Sequence, residues 1–124
     1  VTRTALGTEV EHQEALVEWA RTMWWWKDFA HWPNERIDKM EAYKLYKAGV
    51  KPGLPDNWLF LPVGTHMGAV SELKRPGAPP SATSKEQNRW LSVIEDCGFL
   101  VTVSYGVDEA MAFFEGYAGS RPTE

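Results

Sequence analysis

Asp56, Glu72 and Lys74 are the side chains whose types and spacing best suit them to chemistry. Asp56 closes the turn Gly53-Leu-Pro-Asp56 and opens the apolar run Asn57-Trp-Leu-Phe-Leu-Pro62. Glu72 follows sixteen residues later, in Glu72-Leu-Lys74, after Gly68-Ala-Val-Ser71. Residues two apart on a strand share a face, so Glu72 and Lys74 point the same way. Pairing of the two strands brings Asp56 to them. Two carboxylates and an ammonium on one sheet face can hold a divalent metal and activate a water beside it. A plainer reading stands next to this one. Pro-Asp is ordinary turn chemistry, and Glu-x-Lys suits a solvated strand face. The apolar flanks favour the first reading, because charges entering a core need partners or a metal.

The elements that would position these groups are legible as periodicity and caps. The spacing predicts a helix over 9–27, with Thr8 as N-cap and Leu16, Ala20, Met23 and Trp24 on one stripe. Glu9 and Gln13 extend that stripe backwards, which makes Glu9 either a first-turn helix charge or a ligand. A short strand is expected at 29–32, stopped by Pro33-Asn34, then a helix over 36–48 ended by Gly49. A hairpin follows, with strands 58–62 and 67–74 and its turn at 64–66. After a Pro-rich loop at 75–83 come a helix over 84–97 stopped by Gly98, a strand over 99–104 and a helix over 107–117. The helix between the last two strands predicts a parallel crossover. Ser84-Lys-Glu-Gln87 matches a capping box, which would occupy Gln87; Thr83 to Glu86 matches as well, which would leave Gln87 free.

With 124 residues and 44% hydrophobic content the chain fits one α/β domain, 1–124. No apolar run is long enough to span a bilayer, so no membrane partner is expected. No signal-peptide pattern is seen and Cys97 is the sole cysteine, which excludes an internal disulfide and a cysteine zinc cluster. Both point to an intracellular, cytoplasmic setting. The net charge of −4 is unevenly spread. Residues 36–89 carry nine basic and five acidic side chains, against three and six before them and one and six after them. The basic excess surrounds the Asp-Glu-Lys set and suits an anionic partner. Trp24-Trp25-Trp26 cannot all face one side of a helix, so an exposed or interface tryptophan is expected there. His12, His31 and His66 have no metal-ligand spacing and read as incidental.

The ordered set of motifs resembles a known family. Glu9-x-x-x-Gln13, His31-Trp-Pro-Asn34, Gly53-Leu-Pro-Asp56, Glu72-Leu-Lys74, Gln87-Asn-Arg-Trp90, Gly98-Phe-Leu-Val-Thr-Val103 and Val107-Asp-Glu-Ala110 are similar to those of the virus-type replication-repair nucleases. These form the VRR-NUC branch of the PD-(D/E)xK superfamily, and the likeness covers about 9–117, closest to compact, stand-alone phage members. Trp32 stands where the family has isoleucine before Pro-Asn. The resemblance implies a restriction-endonuclease-like core, a mixed sheet flanked by helices. It implies Asp56, Glu72, the Leu73 carbonyl and Glu9 as ligands of Mg²⁺ or Mn²⁺. Lys74 would serve the attacking water and the phosphorane, and Gln87 would support the site. Lys51, Arg75, Lys85 and Arg89 flank the motifs and are candidates for phosphate contacts.

The expected function is a metal-dependent, structure-selective DNA endonuclease, acting at branched or Holliday-junction-like DNA in a phage or bacterial host. Two-fold cutting needs two sites, so a homodimer is expected, with the tryptophan triple as its candidate surface. The competing readings are a non-catalytic DNA-binding or assembly module with the same fold, and a nuclease for linear or flap DNA.

Overall fold

The computed structural model describes residues 7–33 and 38–123. Asn34 and the expected start of the second helix at 36–37 lie outside the described residues. A four-stranded mixed sheet in the order β1-β2-β3-β4 organises the chain. β1 (Phe29–His31), β2 (Asn57–Leu59) and β3 (Gly68–Lys74) run antiparallel to one another in sequence, and β4 (Phe99–Tyr105) lies parallel to β3. Among the described residues four α-helices complete it: α1 (Glu9–Ala20), α2 (Lys39–Lys47), α3 (Lys85–Asp96) and α4 (Val107–Ala118). α3 makes the crossover between the two parallel strands, as the sequence order requires.

α1 starts where the sequence places it. The Thr8 hydroxyl accepts from Glu11 N at 3.1 Å while Glu11 reaches back to Thr8 N, a reciprocal cap. It ends at Ala20 rather than at 27. Three consecutive tryptophans on a continuing helix would be spread around its axis at about 100° each. Instead, tight turns through Arg21–Trp26 break the helix, with Met23 N on Ala20 O and Trp26 N on Met23 O. Trp25 swings fully into the core, against Trp19, Phe29 and Phe114. Trp24 is half-buried with its Nε1 on Gly119 O, and Trp26 stacks on Phe29. Of the three, Trp25 is core, while Trp24 and Trp26 are half-buried against its edge and neither is fully exposed.

α1 and α4 cover one face of the sheet. Leu16 and Ala20 from α1, Ala110 and Phe114 from α4, and Leu59, Ala69 and Leu73 from the strands are fully buried together. Full burial of a large apolar side chain contributes about 1.5–3 kcal/mol, so this layer carries the domain. His12, on the buried stripe of α1, accepts from Val107 N at its Nδ1 and so caps α4. It is structural, not incidental. α3 serves the opposite face, burying Ile94 and ending at Cys97–Gly98, where Gly98 adopts φ 102°. β2 is shorter than expected, 57–59. The chain beyond it closes through a Val63–His66 bridge.

Candidate active site

Strand alternation sends Ala69, Ser71 and Leu73 to the α1/α4 layer and Val70, Glu72 and Lys74 to the other face. All seven residues of β3 are buried, so this second face carries two ionisable groups without water. Glu72 is 1% exposed and Lys74 8%. Their partners come from α3. The Gln87 amide donates from Nε2 to Glu72 Oε2 at 3.0 Å, and its Oε1 accepts from Lys74 Nζ at 3.3 Å. Lys74 Nζ itself stands 3.6 Å from Glu72 Oε2.

Gln87 also fulfils the rival role that the sequence offered. Its Oε1 accepts from Ser84 N at 2.9 Å, while Gln87 N donates to Ser84 Oγ at 3.1 Å. The capping box and the contact with Glu72 are one arrangement, because the amide has donors on one side and an acceptor on the other. The cap fixes the first turn of α3, and that turn holds the amide against Glu72.

Asp56 reaches the same place from the loop before β2. Its Oδ2 accepts from Leu73 N at 2.9 Å. The N–H and C=O of a strand residue point to the same side, so the Leu73 carbonyl also points past the end of β2. Lys74 points the other way, with its carbonyl accepting from Gly106 N. The Asp56 backbone is anchored too: its carbonyl accepts from Trp32 N at 2.6 Å and lies 2.9 Å from His31 Nδ1. Gly53 sets the loop against α3. With φ 92° it occupies the left-handed region, and a Cβ there would meet Glu86 C at 2.8 Å and Gln87 N at 2.9 Å. The loop carrying Asp56 and the helix carrying Gln87 thus touch backbone to backbone.

Glu9 comes from the exposed start of α1. Of the nearby glutamates, Glu11 is tied to Thr8, while the Glu9 carboxyl feels Asp56 and Lys74. Gln13, one turn further along, forms a two-way amide pair with the fully buried Asn57, at 2.8 and 2.9 Å. That pair fixes α1, and so Glu9, to the strand that follows Asp56. The sequence hinted at it only through Gln13 on the stripe; nothing local marked Asn57 as its partner.

Electrostatically the site is strained towards negative charge. Burial, then the neighbouring Asp56 carboxylate, pushes the Glu72 carboxyl up to about 9, with the Lys74 ammonium opposing. Glu9 is raised by its partial burial and by Asp56, again against Lys74. Glu72 Oε1 is buried with no hydrogen-bond donor. Among the described residues no three His, Cys, Asp or Glu side chains form a metal cluster by themselves. The oxygens on offer are Asp56, Glu72, the Leu73 carbonyl and, at the rim, Glu9. Hard oxygens that raise one another's proton affinity, one of them lacking a donor, fit a small divalent cation.

The candidate phosphate residues divide. Lys51 and Arg89 converge on Trp90, at 6.0 and 5.1 Å from its ring, and Trp90 Nε1 donates to Pro52 O at 3.1 Å. Both therefore flank the Asp56 loop. Arg75 is exposed just beyond β3, with Nη1 on Pro76 O, and Lys85 is exposed at the start of α3. Among the described residues no helix is long and apolar enough to cross a membrane.

Comparison with known proteins agrees with this architecture. The family model described as the VRR-NUC domain matches residues 7–108. A solved structure of a "VRR_NUC domain protein" superposes with a TM-score of 0.77 at 24% identity, covering 90% of this chain and 88% of that one. At that identity the likeness is one of fold. No curated protein matches the chain.

Proposed function

The chain belongs to the VRR-NUC family, a nuclease-type domain, and we propose that it is a metal-dependent, structure-selective endonuclease hydrolysing phosphodiester bonds of branched or Holliday-junction-like DNA. One observation carries the reading. Glu72 is fully buried beside Asp56, gripped by Gln87 and Lys74, and keeps one oxygen without a donor. A carboxylate is retained in such a place at a cost of several kcal/mol unless a cation or proton compensates it.

Asp56, Glu72, the Leu73 carbonyl and Glu9 would hold Mg²⁺ or Mn²⁺. When bound, such an ion polarises the phosphoryl oxygens and lowers the pKa of a coordinated water. The protein's own groups do the rest. Lys74 carries its positive charge on a buried stem, where it can orient the attacking water and offset charge developing on the phosphorane. Gln87 keeps Lys74 and Glu72 in register by binding both. Asp56, fixed by Leu73 N, stays aligned with the end of β3. Lys51 and Arg89 suit flanking phosphates, and Arg75 and Lys85 suit more distant ones. Symmetric cutting of a junction calls for a homodimer. With Trp25 in the core, only the half-buried Trp24 and Trp26 are left to such a surface, and the expectation rests mainly on substrate symmetry.

The experiment is incubation of four-way junction, flap and linear duplex DNA with the protein and Mg²⁺ or Mn²⁺. Expected are junction cleavage in preference to linear duplex, dependence on the ion, and no cleavage by Glu72→Ala. Undiminished cleavage by that variant overturns the site, and equal rates on all three DNAs overturn the structure selectivity.

A further inference from the structure

Among the described α-helices α2 stands apart: each of its nine residues is exposed. A globular helix ordinarily buries an apolar stripe. This one leaves Met40, Tyr43 and Tyr46 in water, with Tyr46 73% exposed. Its side chains are nonetheless segregated. At about 100° per residue, Lys39, Met40, Tyr43, Lys44, Tyr46 and Lys47 fall within an arc of about 160°, and Glu41 and Leu45 lie opposite. Lys47 Nζ stands 5.4 Å from the Tyr43 ring centre, as a shared face requires. From its C-terminus the chain runs through Lys51, whose ammonium lies at Trp90 beside Arg89, and straight on to Asp56. In a protein of net charge −4, cations and aromatic rings are thus concentrated on one arm that leads into the candidate site.

We propose that α2 is a DNA-binding arm, whose lysine–tyrosine face holds the backbone and unpaired bases to one side of the scissile phosphate. The proposal rests on the nuclease reading above and names the element that would grip that substrate. Lysines neutralise phosphates and release counterions. Tyrosine rings offer stacking surfaces to bases not already stacked in duplex, as at a junction or flap. A second copy of the chain is the poorer occupant, because a two-fold contact through this face would bring one lysine-rich patch against another.

The test is fluorescence anisotropy with labelled four-way junction and duplex DNA in EDTA over a range of salt concentrations, followed by cleavage kinetics with Mg²⁺. For the variant Lys39→Gln/Lys44→Gln/Lys47→Gln, the slope of log affinity against log salt is expected to fall by roughly 2–3. KM should rise with kcat unchanged. The single Lys47→Gln should lose about a third of that slope, and Lys27→Gln, away from the arm, none. Tyr43→Ala/Tyr46→Ala is expected to weaken binding to junction DNA more than to continuous duplex. Since all these residues are exposed, thermal unfolding should not move. An unchanged slope and KM in the triple variant overturns the arm while leaving a cleaving enzyme intact. A triple variant that turns a dimer into a monomer at unchanged slope also overturns it, in favour of self-association. Salt-sensitive binding through α2 with no cleavage of any DNA supports the arm and removes the nuclease reading instead.

Discussion

Leu73 and Glu72 are neighbours on β3 and equally withdrawn from water, yet the two faces of the strand differ in how their groups are satisfied. On the α1/α4 face, Ala69 and Leu73 meet apolar partners, and the one polar side chain, Ser71, hydrogen-bonds Ser104 at 2.6 Å. On the α3 face, Glu72 and Lys74 share one amide, and Glu72 Oε1 has no donor. The lesson is that burial alone does not separate a core from a site. On β3 the core face pairs its polar side chain, whereas the candidate-site face leaves an oxygen open among clustered charges; His12 Nε2 in the core layer also lacks a partner, so it is the clustering of charge that marks the site.

The sharpest way to break this contrast is Glu72→Gln. It preserves shape and removes charge, so cleavage should become undetectable. In EDTA the melting temperature should hold or rise, because the neutral amide needs no proton taken up to sit buried beside Asp56. A variant that loses activity only by unfolding would erase the distinction between the faces. Leu73→Ala should do the reverse: a loss of about 2–5 kcal/mol of stability by denaturant unfolding, with the site's side chains and the residue-73 backbone carbonyl retained. The third prediction concerns pH. The Glu72 carboxyl titrates near 9 when folded and near 4.5 when unfolded. Between those values the native state keeps a proton that the unfolded chain has released. Stability in EDTA should therefore fall as pH rises through that window. Saturating Mg²⁺ should flatten the fall, since a cation then takes the proton's place; equal slopes with and without the ion would count against the ligand set. The smallest effect lies on the core face. Ser71→Ala should cost about 1–3 kcal/mol by stranding the Ser104 hydroxyl, whereas Ser71→Ala/Ser104→Ala should recover most of it.

The sequence carried the site further than it carried the surface. Period-two alternation was enough to put Glu72 and Lys74 on one face, and the hairpin was enough to bring Asp56 to them. Both follow from local geometry. Capping chemistry placed Thr8 and Ser84 at the starts of α1 and α3 for the same reason. The Gln87 contact was only half legible, since a capping box and a bond to Glu72 read as alternatives until α3 packed beside β3. The Gln13–Asn57 pair spans 44 residues and has no periodic signature at all. Trp24-Trp25-Trp26 misled because helical periodicity was continued through a turn that tertiary packing imposes. His12 looked idle for a related reason: its partner, Val107 N, lies 95 residues away.

The backbone contact between Gly53 and the start of α3 has a consequence in time. Glu9, Asp56, Glu72 and Gln87 come from four separate stretches of chain, and the last arrives only with the crossover helix. Contacts of such long sequence separation form late, after the loops between them have closed. The Gln87 amide that holds Glu72 and Lys74 is therefore in place only once residues beyond 87 have been made and α3 lies against the Gly53 loop.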